Sequence, residues 1–144
     1  AGHLPNAQQR EQVQALGEVA AQVHFTGLLA DTRPLIAAGD VGFVLSNDIE
    51  TISFACREMM ASARPMLVSD YAGLPENIQQ GVDGWVVPTR DVAAIAAQLQ
   101  AMYEQRQVLA VMGMAARRHA EAAFGLQTFA DATLASYEAV LGSR

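Results

Sequence analysis

Three short apolar runs, each followed by a turn and a helix-like segment, most restrict the fold that this chain can adopt. The runs span residues 41–45, 66–68 and 85–87. The first contains no polar residue, which is expected of a strand that is covered on both faces. Because strands that alternate with helices form a parallel sheet, the sequence predicts an α/β domain with helices on both faces of the sheet. A ligand of such a domain binds at the carboxyl ends of the strands.

The other segments are predicted to be helical, apart from one further short strand at 23–27. Apolar residues recur in most of these segments at intervals of three and four. Helices are predicted at 8–21, 32–38, 52–62, 77–80, from 92 onward, 108–123 and 126–141. Asn6 and Asp91 are the expected N-caps of the first helix and of the helix from 92. The basic cluster at 117–119 is interpreted as exposed cations near a helix C-terminus.

The composition is that of a globular chain and argues against several classes of function. Of the 144 residues, 51% are hydrophobic and 17% are charged, which is typical of a folded domain. No apolar run approaches the roughly 18 residues that a membrane span needs. The net charge of −6 argues against a nucleic-acid-binding face and a polybasic membrane patch. A single cysteine, Cys56, excludes an internal disulfide framework and favours a cytoplasmic location.

Two glutamates frame the predicted helix that follows the first apolar run. Glu50 and Glu58 show the E-x7-E spacing, which places them roughly 12 Å apart along a helix axis at about 1.5 Å per residue. That distance suits two contacts with an elongated ligand. Between them lie first-turn amides, near Ile52, Ser53 and Phe54, which lack intrahelical partners and carry the positive end of the helix dipole. The segment therefore predicts a ligand with hydroxyls at both ends and a phosphate between, the layout of a nucleotide sugar.

The same stretch resembles the signature of the group 1, family 4-like retaining glycosyltransferases, which adopt the GT-B fold of two Rossmann-like domains. The family pattern is P-S-x-x-E-G-F-G-x-x-x-x-E-A-M-A-x-G-x-P-V, then G-G-x-P-E and G-x-x-G-x-x-V. This chain reads SNDIETISFACREMMASARPMLVSDYAGLPENIQQGVDGWVVP. Both glutamates, the Met-Ala pair, the proline before the second strand and the Leu-Pro-Glu run match. Thr51 and Ser53 replace the usual glycines, Ser46 replaces a proline and Ala63 a glycine, which leaves the donor sugar open.

Position by position, the resemblance implies a nucleotide-sugar site. Glu50 would be the catalytic residue and would bind sugar hydroxyls near the reacting carbon. The backbone of Thr51 and of the three residues after it would hold the distal phosphate and the sugar, and Glu58 would bind the ribose. The turn with Thr26 and Gly27 would contact the base. No metal or other cofactor is implied beyond a UDP- or GDP-linked donor, because helix amides and basic residues stabilise the leaving diphosphate.

Some of the family's machinery has no counterpart in residues 1–144. The family draws a basic pair from the first βα unit of this domain, and a catalytic histidine and the acceptor site from its other domain. The chain is therefore interpreted as a C-terminal, nucleotide-sugar-binding Rossmann-like domain, inactive alone, that lacks its first βα unit and its N-terminal partner domain. The whole enzyme is expected to be a hexosyltransferase of polysaccharide synthesis. It would act on a glycan or lipid-linked acceptor in the cytoplasm or at the inner membrane face.

Two alternatives remain open. One is a non-catalytic nucleotide-sugar-binding module of the same fold. The other is a different GT-B enzyme, such as a nucleotide-sugar epimerase or a phosphorylase. The absence of lysine from the matching region counts against a phosphorylase, which needs one for its cofactor.

Overall fold

The computed structural model describes residues 2–142 and divides the chain into two units, Ala1–Leu35 and Ile36–Arg144. The first unit contains helix α1 (Ala7–Gln14) and a 3₁₀ segment (Gly17–Gln22), and helix α2 (Arg33–Ala38) crosses the boundary.

Helix α1 begins where the sequence predicts, but it ends early. Asn6 is the N-cap, and it forms a reciprocal pair with Gln9: the Gln9 N–H donates to Asn6 Oδ1 (2.8 Å), and the Asn6 N–H donates to Gln9 Oε1 (2.9 Å). Gly17 has a φ of +62°, a left-handed conformation that interrupts the helix. The predicted helix at 8–21 is therefore two elements. Leu16, an apolar residue within the predicted range, is 52% exposed.

The strand predicted at 23–27 is not formed. A strand needs a neighbouring strand to satisfy its backbone groups. In the described chain the segment has no neighbouring strand: the Val23 N–H donates to the Ala20 carbonyl at 3.1 Å, and the Gly27 carbonyl accepts from the Gly2 N–H at 2.9 Å. The apolar and polar alternation of the segment was therefore insufficient evidence for a strand.

The second unit contains the predicted parallel sheet. Strands β1 (Gly42–Val44), β2 (Met66–Ser69) and β3 (Gly84–Val87) lie side by side in the order β1-β2-β3, and both neighbouring pairs are parallel. The helices are α3 (Phe54–Ala61), α4 (Val92–Glu104), α5 (Leu109–Ala123) and α6 (Leu126–Leu141), with 3₁₀ segments at Pro75–Asn77 and Arg106–Val108. Asp91 caps α4 as predicted, with its carboxylate accepting from the Ala94 N–H at 2.9 Å.

Strand β2 is buried along its whole length because helices cover both faces of the sheet. Met66 and Val68 pack into a cluster with residues of α3 and α5, among them Cys56. Leu67 points the other way and packs against Met102 of α4. Burial raises the pKa of the Cys56 thiol to about 12, which is consistent with a neutral side chain packed in the core.

Strand β1 departs from the prediction that it is covered on both faces. It pairs with β2 along one edge, and Phe43 at its centre is 65% exposed. The cover on β1 is partial: Val44 packs against the α3–α5 cluster and Leu45 against the α4 cluster, which leaves Phe43 open.

A buried carboxylate corrects the interpretation of the basic cluster on α5. Asp83 is 1% exposed, and it accepts from the Gln79 N–H at 2.6 Å. His119 Nδ1 lies 2.7 Å from the other carboxylate oxygen, and the His119 side chain is only 18% exposed. His119 therefore does not lie exposed on the surface. It is a hydrogen-bonding partner of the kind that a buried carboxylate requires. Arg117 does lie on the surface, where it pairs with Glu121.

Helix α6 has no buried residue, although its bounds agree with the prediction. None of the helices in the described part of the chain combines the length and hydrophobicity that crossing a lipid bilayer requires.

The turn between α3 and β2 forces a non-glycine residue into a left-handed conformation. Ala63, which stands where the family pattern has glycine, has a φ of +58°. We expect Ala63→Gly to raise the free energy of unfolding by about 1 kcal/mol, because glycine adopts this φ without the steric cost of a β-carbon. Chemical denaturation of the variant measures the change. Ala61→Gly, in the last position of α3, is the matched control and should lower stability by about 1 kcal/mol. A loss of stability in Ala63→Gly would contradict the prediction.

Candidate functional site

Glu50 lies beyond the carboxyl end of β1, and both of its carboxylate oxygens are held. The Ser46 hydroxyl donates to Glu50 Oε2 at 3.0 Å, and the Thr51 N–H donates to Glu50 Oε1 at 3.1 Å. Ser69, the last residue of β2, donates its hydroxyl to the Ser46 carbonyl at 2.6 Å. The ends of two adjacent strands thus orient a half-buried carboxylate at the predicted edge of the sheet.

The helix after Glu50 begins two residues later than predicted. Ser53 has extended backbone angles and is the N-cap, and its hydroxyl accepts from the Cys56 N–H at 3.2 Å. Ile52 and Ser53 therefore precede α3, and their amides are not in its first turn. The first-turn donors that remain are the amides of Phe54 and Ala55. The preference of serine for N-cap positions was the sequence signal for this boundary.

Glu58 lies on the second turn of α3, as predicted, and is exposed. The residues between the two glutamates are also open to solvent, with Ile52 51% exposed and Phe54 72% exposed. Ser53, in contrast, is only 5% exposed, and its hydroxyl caps the helix. Glu50, the open first turn and Glu58 therefore occur in the predicted order along one continuous segment.

The Leu-Pro-Glu run lies against the residue that follows Glu50. A β-carbon on Gly73 would lie 2.7 Å from the Thr51 carbonyl oxygen, so only glycine allows this approach. Leu74 is completely buried in the core. The glycine of the motif therefore has a local physical role, which is to bring the 73–76 segment beside the Glu50 loop.

The loops after β2 and β3 complete this edge of the sheet, and sequence reasoning missed them. Asp70 accepts from the N–H of Thr89 at 2.6 Å and from the Thr89 hydroxyl, and these hydrogen bonds hold the pKa of Asp70 below its usual range. Arg90 donates to the Asn47 carbonyl at 3.3 Å, which joins the loops after β3 and β1. The position of these residues just after a strand was the available signal.

Thr26 and Gly27 belong to the first unit and do not share a segment with the glutamates. They line a cavity of about 160 Å³ together with Gly2, His3 and the neighbouring His24 and Phe25. Thr26 is exposed and Gly27 has a φ of +67°. Their predicted contact with a nucleotide base stays a prediction.

Comparison with known proteins gives the same assignment as the motif. Residues 1–105 match the family model described as glycosyl transferases group 1. The chain is 35% identical over 77 residues to the amylovoran biosynthesis glycosyltransferase AmsK of Erwinia amylovora, covering 54% of this chain and 19% of that protein. It is 36% identical over 92 residues to the D-inositol 3-phosphate glycosyltransferase of Streptomyces avermitilis, covering 64% and 20%. The chain thus spans about a fifth of the length of these relatives.

Solved structures agree on the fold. Sucrose-phosphate synthase from Thermosynechococcus elongatus superposes with a TM-score of 0.78 at 22% identity, over all of this chain and 38% of that chain. Anabaena HepE in complex with UDP has a TM-score of 0.78 at 25% identity, over 90% of this chain and 36% of that one. The Rossmann-like α/β architecture expected of a GT-B protein is confirmed. With the motif, the family model and these structures in agreement, the chain belongs to the group 1 glycosyltransferases.

Proposed function

We propose that this chain is the donor-binding domain of a retaining glycosyltransferase that takes a nucleotide sugar as its donor. The observation that carries the proposal is the arrangement along 50–58. A carboxylate held by Ser46 and Thr51 is followed by an open helix N-terminus and then by an exposed second carboxylate. The complex of the related HepE with UDP supports a nucleotide ligand.

The proposed ligand lies along this segment with its sugar at Glu50. The diphosphate lies at the amides of Phe54 and Ala55, where the helix dipole and two donors favour an anion. The ribose hydroxyls then reach Glu58 on the next turn.

The chemistry follows from where charge develops. As the bond between the sugar and the diphosphate breaks, the sugar gains positive charge, which the Glu50 carboxylate stabilises, and the diphosphate gains negative charge, which the helix amides stabilise. Because these groups supply both kinds of stabilisation, we propose that the donor site needs no metal ion. The sugar passes to the oxygen of an acceptor hydroxyl bound outside residues 1–144, the hydroxyl proton goes to the departing diphosphate, and the anomeric configuration is retained. The relatives named for amylovoran and colanic acid biosynthesis support a role in polysaccharide synthesis, for which we propose a glycan or lipid-linked acceptor.

The role of Glu58 provides the first test. We expect Glu58→Ala in the full-length protein to weaken binding of UDP and of a UDP-sugar alike, by about 2 kcal/mol or roughly 30-fold, because a charged hydrogen-bond acceptor is lost. Isothermal titration calorimetry measures both affinities, with GDP as the alternative nucleotide. Glu138→Ala, which removes a glutamate exposed on α6, is the matched control and should bind normally. Unchanged nucleotide affinity in folded Glu58→Ala would mean that Glu58 is only a solvent-facing helix residue.

A further inference from the structure

Asn77, directly after the Leu-Pro-Glu run, is a buried polar residue that joins two parts of the site. It is 1% exposed. Its side-chain nitrogen donates to the carbonyls of Gly73 (3.0 Å) and Leu74 (3.2 Å), and its side-chain oxygen accepts from Arg57 Nε at 2.9 Å. Both side-chain N–H groups and the side-chain oxygen of Asn77 are thus used to connect the 73–76 segment with α3.

Arg57 is itself held in place from its other side. Its guanidinium carbon lies 4.0 Å from the ring centroid of Phe124, the C-cap of α5. The guanidinium cation lies over the face of the aromatic ring, and this attraction helps to fix the orientation of the Arg57 side chain. Because Arg57 immediately precedes Glu58 on α3, the residue that Asn77 bonds is adjacent to the second glutamate of the site.

These contacts close a ring between the two carboxylates. From Glu50 the ring runs through Thr51 to Gly73, whose backbone lies against the Thr51 carbonyl. It continues through Asn77 to Arg57 and so to the turn of α3 that bears Glu58. The covalent path from Glu50 to α3 passes only through exposed residues and the Ser53 cap. Core packing of Cys56 holds α3 against the sheet, and the ring adds a polar connection between this helix and the Glu50 loop.

We propose that Asn77 and Arg57 are positioning residues that set the separation between Glu50 and Glu58. The inference rests on the proposed function, in which the two carboxylates bind opposite ends of one ligand. A nucleotide sugar needs both ends aligned at once, whereas a free nucleoside diphosphate needs only the helix amides and Glu58. Loss of a contact in the ring should therefore impair catalysis with the nucleotide sugar more than binding of the free nucleoside diphosphate. Only the nucleotide sugar must contact both glutamates at the same time, so only it is sensitive to their separation.

The test compares two ligands in two variants of the full-length protein. In Asn77→Ala and in Arg57→Met we expect kcat/KM for the nucleotide sugar to fall about tenfold, while the Kd for UDP stays within about twofold. Arg57→Met keeps an unbranched apolar side chain beside Phe124 and removes the hydrogen bond to Asn77. Gln79→Ala, which shortens an exposed amide two residues along, is the matched control and should leave both values unchanged.

Two outcomes overturn the inference. One is a folded pair of variants with unchanged kcat/KM, and another is an equal loss of sugar-donor use and UDP affinity, which would indicate general disruption. If Asn77→Ala fails to fold by circular dichroism, Arg57→Met decides between the expected and the opposing result. If the wild-type protein binds none of UDP, GDP, UDP-sugars and GDP-sugars, the proposed function itself is wrong. If the wild-type protein binds the nucleotide and both variants keep the wild-type kcat/KM and Kd, only the proposed role of the ring is wrong.

Discussion

Glu50→Gln in the full-length protein should lower turnover roughly 100-fold, the scale of one lost electrostatic contact with a transition state. Glutamine preserves the shape of the side chain and leaves an oxygen able to accept from the Ser46 hydroxyl or the Thr51 N–H. It removes the negative charge beside the sugar carbon at which positive charge develops. The charge matters more in the transition state than in the bound donor, so kcat should fall while KM for the donor changes little.

Binding of free nucleotide separates the proposed mechanism from its alternatives. UDP has no sugar, so its affinity for Glu50→Gln should match that of the wild type by calorimetry. Ser46→Ala removes one orienting hydrogen bond but keeps the charge, and it should have a smaller effect on kcat. Normal turnover in Glu50→Gln would mean that the carboxylate only orders its own loop. Loss of UDP affinity would mean that the ligand runs along α3 in the reverse direction.

Gly113→Ala should lower the free energy of unfolding by about 3 kcal/mol, the upper part of the range for overpacking. Gly113 lies within α5 and is buried, and a β-carbon there would collide with the carbonyl oxygen of Ala63 and would also meet the ring of Pro65. The obstacle is backbone at the α3–β2 turn, which is held by the buried Pro65 and cannot move aside like a flexible side chain. The sign of this change is informative, because an interior helical glycine is otherwise less stable than alanine by about 1 kcal/mol.

Urea denaturation with a constant m-value measures this prediction. Gly39→Ala is the matched control, since a β-carbon there would meet its nearest neighbour at 3.7 Å, an ordinary contact. That substitution should change stability by less than about 0.5 kcal/mol. A Gly113→Ala protein as stable as the wild type would show that α5 can move away from α3 without loss of packing.

Local patterns in the sequence determined the strand and helix framework of the second unit. Apolar runs located β1, β2 and β3 to within two residues, and an N-cap residue located the start of α4. The same reasoning placed Glu50 at a strand end and Glu58 on the following helix, because both depend only on neighbours along the chain. Ser53 shows the limit of that reasoning. Serine is a preferred N-cap residue, which predicts that α3 begins after Ser53, whereas the family pattern has a glycine at this position and gives no such boundary.

Tertiary structure alone decided which of these residues are buried and which side chains meet. Asp83 and His119 are 36 positions apart, and Arg57 and Asn77 are 20 apart, so no local periodicity brings either pair together. Phe43 is as apolar as Leu67, its partner in the register of β1 and β2, yet it is 65% exposed whereas Leu67 is completely buried. Hydrophobicity and capping act over a few residues. Burial and polar pairing depend on which elements pack together, which is set by the whole fold.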